Sequence, residues 1–213
     1  MACFFDIETT GLHDRALVTC AATMTGTETI KWHSDFEATM TRDDIIEMID
    51  YLCLQEEIVT FNGANFDFKI LYFVTGDERV LKLAEAHTDI CLSFGAEKGY
   101  FTSLNSFMLG CNIPGKNGSG ADAITAWLNG SKAEKKSILD YCVNDVRCLR
   151  DLYKKMKLQP KRIFRQTKGG RRQRWHPRLE SVAMALERYR MKPPDTSWMT
   201  KPPKIDRVLS WFE

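Results

Sequence analysis

Two carboxylates stand two positions apart in an otherwise apolar segment near the start of the chain. Asp6 and Glu8 lie within FFDIETTGL (residues 4–12), and two threonines and a glycine follow them directly. Acidic residues are depleted in β-strands and are rarely buried without a partner, so this placement needs a physical reason. Because side chains alternate along a strand, both carboxylates are expected to point to the same face of the predicted sheet.

Two later segments carry acidic residues in similarly apolar surroundings. Asp67 lies between Phe66 and Phe68 at the start of a predicted helix. Tyr141 and Asp145 are four residues apart in a predicted amphipathic helix, so they lie on the same helix face. Each of these features alone is typical of an ordinary surface or helix-terminal acid, whereas their combination and order favour a shared site.

Four carboxylates that converge in a cleft of low dielectric constant repel one another unless cations bind among them. Ligand sets composed only of oxygen suit Mg²⁺ or Mn²⁺ rather than zinc. Two such ions about 3.5–4 Å apart stabilise both the attacking and the leaving oxygen in a displacement at phosphorus. The sequence therefore predicts a site for two Mg²⁺ or Mn²⁺ ions formed by Asp6, Glu8, Asp67 and Asp145.

Three segments together resemble a known family. DIETTGL (6–12), FNGANFDF (61–68) and DYCVNDV (140–146) resemble the three motifs of the DnaQ-like 3′–5′ exonucleases, the DEDD superfamily, which has a ribonuclease-H-like fold. The resemblance covers roughly residues 2–157. The spacing from Tyr141 to Asp145 resembles the tyrosine subclass, DEDDy, found in polymerase proofreading domains, because Asp140 occupies the position of the histidine in the other subclass.

The resemblance implies a role for each acidic residue. It implies that Asp6, Glu8 and Asp145 bind the first metal, that Asp6 also bridges to the second, and that Asp67 binds directly or through water. Tyr141 is implied to orient the attacking water. A tyrosine phenol has a reference pKa of about 10 and is a poor base at neutral pH, so deprotonation is assigned mainly to the metal.

The resemblance also implies a binding slot for the 3′-terminal nucleotide. The residues implied to hold this nucleotide are Thr9, Thr10, Gly11 and Leu12. Leu12 is expected to act as an apolar wedge against the base. Asn62 and Phe66 are expected to line the same slot, although a purely structural role, with Phe66 in the core and Asn62 at the end of its strand, is an equal alternative.

The charge distribution indicates a polyanionic partner. The chain of 213 residues has a net charge of +2, but residues 152–179 contain eleven Lys and Arg and no acid, so the remainder has a net charge of −9. Phe164 and Trp175 of this block are expected to stack on bases or to anchor the block. Four of its residues are expected to contact substrate phosphates: Lys168, Arg171, Arg172 and Arg174.

Hydrophobic periodicity predicts an antiparallel meander at the start of the chain. The family resemblance implies an α/β fold with a ribonuclease-H-like mixed sheet, in which parallel strands follow the meander and helices flank the sheet. The predicted strands cover residues 2–7, 16–26, 27–36 and 57–62, with another near 87–93. The predicted helices cover residues 41–53, 64–76, 101–109, 133–157 and 178–191. Residues 1–158 are predicted to form the exonuclease domain. Residues 159–213 are predicted to form a basic hairpin, a helix and a proline-rich tail that packs on the core through Trp198, Trp211 and Phe212.

The function predicted from these features is metal-dependent 3′–5′ exonuclease activity on single-stranded or mismatched DNA, with release of 5′-monophosphates. The alternatives are a 3′–5′ exoribonuclease in RNA processing and a non-catalytic module that binds nucleic acid or assists a polymerase. A polymerase or another replication or repair protein is a possible separate partner.

The seven cysteines have no C-x-x-C pair, which favours reduced thiols, and no signal peptide or spanning segment is evident. These features predict that the protein is located in the cytosol of a bacterium or of a phage-infected host and does not associate with a membrane.

Overall fold

The computed structural model of the chain describes residues 1–13, 15–115 and 120–212, without the side chains of residues 120–123 and 212. Its strands are β1 (Ala2–Thr9), β2 (Val18–Thr25), β3 (Glu28–Trp32), β4 (Glu57–Thr60), β5 (Thr88–Asp89), β6 (Ile163–Gln166) and β7 (Arg172–Trp175). Its α-helices are α1 (Arg42–Cys53), α2 (Asp67–Thr75), α3 (Arg79–Ala86), α4 (Ile90–Lys98), α5 (Leu104–Cys111), α6 (Gly120–Asn129), α7 (Lys132–Leu158) and α8 (Val182–Met191).

The central sheet has five strands in the order β3-β2-β1-β4-β5. Strands β1, β2 and β3 form an antiparallel meander, whereas β4 is parallel to both β1 and β5. This mixed sheet, with helices on both faces, confirms the predicted fold class. Ligands of sheets that contain parallel strands commonly bind beyond the carboxyl ends of those strands, which here means the ends of β1 and β4.

Strand β1 lies in the middle of the sheet and separates two hydrophobic cores. Its residues Cys3, Phe5 and Ile7 pack into the core formed with α1, α2 and α8, whereas Phe4 packs into the core formed with α5 and α7. Helix α7, 27 residues long, crosses β1 and β2 on the second face. Because side chains alternate, Asp6 and Glu8 share the face of Phe4 and point towards α7.

The helices that frame the site have recognisable capping residues, although α2 begins at Asp67 and α5 at Leu104, each three residues later than predicted. The Thr41 side chain caps α1 by accepting a hydrogen bond from the Asp44 amide at 3.2 Å. Ser131 and Glu134 form a capping box at the start of α7. Helix α2 ends at Gly76, whose φ of 66° is left-handed and favours glycine.

The sequence prediction was wrong in one region beside the site. The strand expected near residues 87–93 has only the two residues of β5, and α4 begins immediately afterwards at Ile90. The Asp89 side chain explains the change, because it accepts a hydrogen bond from the Leu92 amide at 3.1 Å and so caps α4. The strand expected at residues 27–36 already ends at Trp32, and neither α3 nor α6 was predicted.

A hairpin of β6 and β7 follows α7 and packs on α5. The two strands are antiparallel, with Ile163 opposite Trp175. At Gly110 of α5 a Cβ atom would overlap the backbone of Phe164 and Arg165, so only glycine permits this close approach. Trp175 is 1% exposed and donates a hydrogen bond to Glu97 at 3.1 Å, which makes it an anchor of the hairpin and not a platform for bases.

The tail after α8 returns to the body of the protein. Trp211 packs beside Tyr72 and Phe73 and donates a hydrogen bond to the Ala64 carbonyl at 3.0 Å, as an anchor would. Trp198 is 66% exposed although its ring meets that of Tyr100, so its role as an anchor onto the body stays a prediction. The prediction for the side chain of Phe212 falls outside the described residues.

All seven cysteines are free thiols, and only Cys53 is exposed. Among the described residues, no helix combines the length and the apolar composition that crossing a lipid bilayer requires.

The buried His87 predicts a pH dependence of stability. Its Nδ1 lies 2.9 Å from the Leu83 carbonyl and its ring packs against Phe68. Burial lowers the pKa of His87, partly opposed by the charge of Asp89. The unfolded chain takes up a proton near pH 6.5 and the folded chain resists it, so this contribution to stability is present above pH 6.5 and is lost as the pH falls.

The unfolding free energy of the wild-type protein is expected to fall between pH 7.5 and pH 5 as His87 opposes protonation. In His87→Gln we expect this fall to be smaller, by as much as about 1.4 kcal/mol per pH unit. Chemical denaturation of both proteins at the two pH values measures this difference. Other titrating groups are common to the two proteins and cancel in the comparison. Equal pH dependence in both proteins would contradict the assignment.

Candidate active site

Two of the predicted acids meet at the carboxyl end of β1. One ligand atom each from Asp6, Glu8 and Cys142 lies within 4.8 Å of the others. Asp6 and Glu8 are both half-buried and face α7, as strand alternation predicts. Two carboxylates this close favour a bound cation, because each raises the electrostatic cost of ionising the other.

Cys142 was not foreseen in this cluster. Its thiol lies 3.5 Å from the Asp6 carbonyl oxygen and 3.9 Å from the Asp6 carboxylate. Contact with Cys20, burial and the negative charges of Asp6 and Glu8 all raise the pKa of the Cys142 thiol. A neutral thiol is a poor ligand, so the donors that remain are carboxylate oxygens, and this set fits Mg²⁺ or Mn²⁺.

Asp145 reaches the same place from α7, and Tyr141 precedes it by one turn of this helix. Asp145 is buried, with 6% of its surface exposed, and Tyr141 is half-buried one turn earlier in the helix. Asp6 and Asp145 line one open cleft of about 500 Å³. The structure thus brings an acid of β1 and an acid of α7 together although 139 positions separate them in the sequence.

Asp67 lies at the start of α2, beside the backbone of β1. Its Oδ1 accepts a hydrogen bond at 3.0 Å from the amide of Ile7, the residue between the two acids of β1. Burial raises the pKa of Asp67 to about 7, the hydrogen bond from Ile7 opposes this shift, and the charge of Asp89 adds to it. A cation near Asp67 would favour its ionised form.

Asp89 organises the segment that leads to Asp67, a role that the sequence did not reveal. Its carboxylate accepts hydrogen bonds from the amides of Asn62 at 2.9 Å and Ala64 at 3.0 Å. Asn62 has a φ of 73°, which is unusual for a residue other than glycine. A Cβ atom on Gly63 would overlap the Thr60 side chain, so the turn also needs glycine there.

The threonines after Glu8 shape the loop that follows β1. The Thr9 hydroxyl donates to the Gly11 carbonyl at 2.6 Å, and Thr9 is buried. The Thr10 hydroxyl accepts a hydrogen bond from the Leu17 amide at 3.0 Å. Leu12 is 84% exposed, so its side chain is accessible to a base. The predicted contacts of Thr9, Thr10, Gly11 and Leu12 with a terminal nucleotide stay a prediction.

The cleft between Asp6 and Asp145 is lined mostly by residues that the sequence did not single out. Asn62 lies in the lining as predicted, whereas Phe66 packs against the core on the other face of the sheet. The lining residues that were missed are Phe61, Asn65, Cys91, Phe101, Thr102, Ser103, Leu104 and Asn105. Their amides and hydroxyls suit a sugar or base and their two aromatic rings suit stacking, but no charge or periodicity marked them in the sequence.

The basic residues of the hairpin divide into two groups. Lys168 and Arg171 are exposed at its turn. The Arg172 guanidinium lies 4.5 Å from the centre of the Phe164 ring and donates to the Gly110 carbonyl at 2.9 Å. Arg174 lies 5.4 Å from the same ring. Arg172 therefore helps to hold the hairpin on α5, and phosphate binding by all four residues stays a prediction.

The site thus consists of clustered carboxylates at the end of the central strand of a mixed five-stranded sheet, with an acid of a long helix lining the same cleft. Residues 3–157 match the RNase_H_2 family, described as RNase_H superfamily. The chain belongs to this superfamily. None of the curated proteins with which the chain was compared is similar to it in sequence.

Solved structures show the same fold. Sixty-one chains are similar, among them the family B DNA polymerase from the hyperthermophilic archaeon Pyrobaculum calidifontis, with a TM-score of 0.59 and 14% sequence identity. The match covers 98% of this chain and 27% of the polymerase. At this identity the likeness shows a shared fold. Together, the family and the fold support a nuclease.

Proposed function

We propose that this chain is a 3′–5′ exonuclease of the DEDDy type that removes nucleotides from the 3′ ends of single-stranded or mismatched DNA. The observation that carries the proposal is the convergence of Asp6 and Glu8 on one strand face, with Asp145 of α7 lining the same cleft as Asp6. Clustered carboxylates of this kind support binding of divalent cations, and the open cleft beside them supports binding of a strand end. The preference for DNA rests on the resemblance of the motifs to polymerase proofreading domains.

Asp6, Glu8 and Asp145 would hold the first of two Mg²⁺ or Mn²⁺ ions, and Asp67 would complete the site for the second together with Asp6. When bound, such ions stabilise the charge that develops at phosphorus and lower the pKa of the attacking water. Ionisation of Asp67, which burial opposes, is then favoured by the bound charge.

The residues of the chain position the reacting groups. Tyr141 orients the attacking water, and Asn62 and the loop of Thr9–Leu12 hold the terminal nucleotide. Attack of water on the last phosphodiester forms a new P–O bond, breaks the P–O3′ bond and releases a nucleoside 5′-monophosphate. A proton passes to the 3′ oxygen of the shortened strand.

Digestion of oligonucleotides labelled at either end tests the proposal. DNA and RNA strands of the same sequence are incubated with Mg²⁺, with Mn²⁺ or with EDTA. We expect DNA to be shortened stepwise from its 3′ end with either metal, with 5′-monophosphates as products, and not in EDTA. Preferential degradation of RNA would identify an exoribonuclease instead, and binding without hydrolysis would identify a non-catalytic module.

A further inference from the structure

Trp198 is placed unlike the other tryptophans of this protein. All five lie within the described residues, and the other four are buried or half-buried, whereas Trp198 is 66% exposed. Its indole nitrogen donates a hydrogen bond to the Asp195 carbonyl at 3.1 Å. Large aromatic side chains contribute strongly to cores and interfaces, so a tryptophan held with its ring in solvent is a candidate for binding.

The segment that carries Trp198 has a defined conformation. The Ser197 amide donates to the Asp195 carboxylate at 2.9 Å, and the Met199 amide donates to the Thr196 carbonyl at 2.9 Å. Thr196 and Pro194 pack so closely on Gly99 that a Cβ atom there would overlap the Thr196 side chain. The ring is therefore ordered before any ligand arrives, which lowers the entropy cost of binding.

The contacts of Trp198 connect it with the rim of the candidate active site. Its ring meets the Tyr100 ring edge to face, with 5.8 Å between the centroids. Tyr100 directly precedes Phe101, the first of five consecutive residues that line the cleft between Asp6 and Asp145. Trp198 thus contacts the residue that immediately precedes this segment of the cleft lining.

The side chain of Arg165 adds a positive charge beside Tyr100. The Arg165 guanidinium is 5.0 Å from the centre of the Tyr100 ring, and it donates to the Tyr100 hydroxyl at 2.7 Å. Residues 192–204, which include Trp198, contain three lysines and one aspartate. Aromatic rings interleaved with positive charge form the surfaces on which single-stranded nucleic acids stack their bases and place their phosphates.

We propose that Trp198, with Tyr100 and Arg165, forms a binding site for nucleotides upstream of the 3′ end in a single-stranded substrate. Trp198 stacks on a base and Arg165 attracts the adjacent backbone. The proposal rests on the proposed function, since it assumes that the terminal nucleotide occupies the cleft beside Asp6. It assigns the proline-rich tail a part in substrate binding in addition to packing.

Anisotropy of a fluorescent single-stranded DNA of about twelve nucleotides tests the site in EDTA, where no hydrolysis occurs. We expect Trp198→Ala to weaken binding by about tenfold, in the range measured for loss of one base–aromatic stack, and Trp198→Phe to retain most of the affinity. Leu54→Ala is the matched control, because Leu54 is 81% exposed at the end of α1. Wild-type affinity in Trp198→Ala would overturn the proposal.

Two further measurements separate this proposal from the proposed function. Unlabelled DNA should quench the fluorescence of the exposed tryptophan, and this quenching should be lost in Trp198→Phe. With Mg²⁺, Trp198→Ala should raise KM for the long strand and leave hydrolysis of a dinucleotide unchanged, because a dinucleotide does not extend beyond the cleft. Equal effects on both substrates would overturn the upstream site, whereas hydrolysis that persists without Asp145 would overturn the proposed function alone.

Discussion

Asp145→Ala is expected to lower metal-dependent hydrolysis of DNA by about 1,000-fold. Asp145 is buried on α7 and lines the same cleft as Asp6, so its replacement removes one of the carboxylates proposed to bind the metal ions. Bound cations contribute several kcal/mol of transition-state stabilisation, and each 1.36 kcal/mol corresponds to a tenfold change in rate. Initial rates with a 3′-labelled oligonucleotide, measured over a range of Mg²⁺ concentrations, test this expectation.

Asp140→Ala provides the matched control on the same helix. Asp140 is exposed and pairs with Lys31 at the surface at a distance of 2.6 Å, so its removal should leave the rate nearly unchanged. Tyr141→Phe keeps the ring and removes only the hydroxyl, so it should reduce the rate less than Asp145→Ala does. Full activity in folded Asp145→Ala would refute the assignment of the site.

Asp89→Ala is expected to lower the unfolding free energy by about 3 kcal/mol or more. The Asp89 carboxylate accepts hydrogen bonds from the amides of Asn62, Ala64 and Leu92 at 2.9, 3.0 and 3.1 Å. Its removal leaves three donors without their acceptor, and a buried unsatisfied group costs about 1–3 kcal/mol. Chemical denaturation of the variant and the wild-type protein measures the loss.

The same substitution should also reduce hydrolysis, because it releases the segment from Asn62 to Asp67. Asp89→Asn keeps one side-chain oxygen as an acceptor, so its unfolding free energy is expected to lie between those of Asp89→Ala and the wild-type protein. Asp43→Ala, an exposed acid in the first turn of α1, is the matched control and should change stability by less than about 0.5 kcal/mol. If Asp89→Ala were as stable as the wild-type protein, the three hydrogen bonds of Asp89 would contribute little to stability.

The regular part of the fold was accessible from the sequence because local rules determine it. Alternation in β1 placed Asp6 and Glu8 on one face, and the spacing of four residues placed Tyr141 and Asp145 on one face of α7. The antiparallel meander of β1, β2 and β3 followed from the pattern of apolar runs, whereas the parallel strands were expected from the family resemblance. Each of these predictions depends on neighbours within about one helical turn or one strand.

The region after His87 was mispredicted because its local signal is ambiguous. The run from Thr88 to Ser93 is short and apolar, and such a run suits a buried strand as well as a buried helix. The hydrogen bonds of the Asp89 side chain decide between them, and two of these reach residues 25 and 27 positions away in the sequence. Distant partners of this kind leave no periodic pattern.

By itself, the sequence determined which acids could share a site and which elements present them, since both depend on side-chain direction along strands and helices. Only the tertiary structure decided what surrounds those acids. It placed the Cys142 thiol beside Asp6, set residues 101–105 along the cleft and left the ring of Trp198 in solvent. Burial and contact across the fold depend on how separate elements pack against one another, and this packing is a property of the whole chain that no single segment encodes.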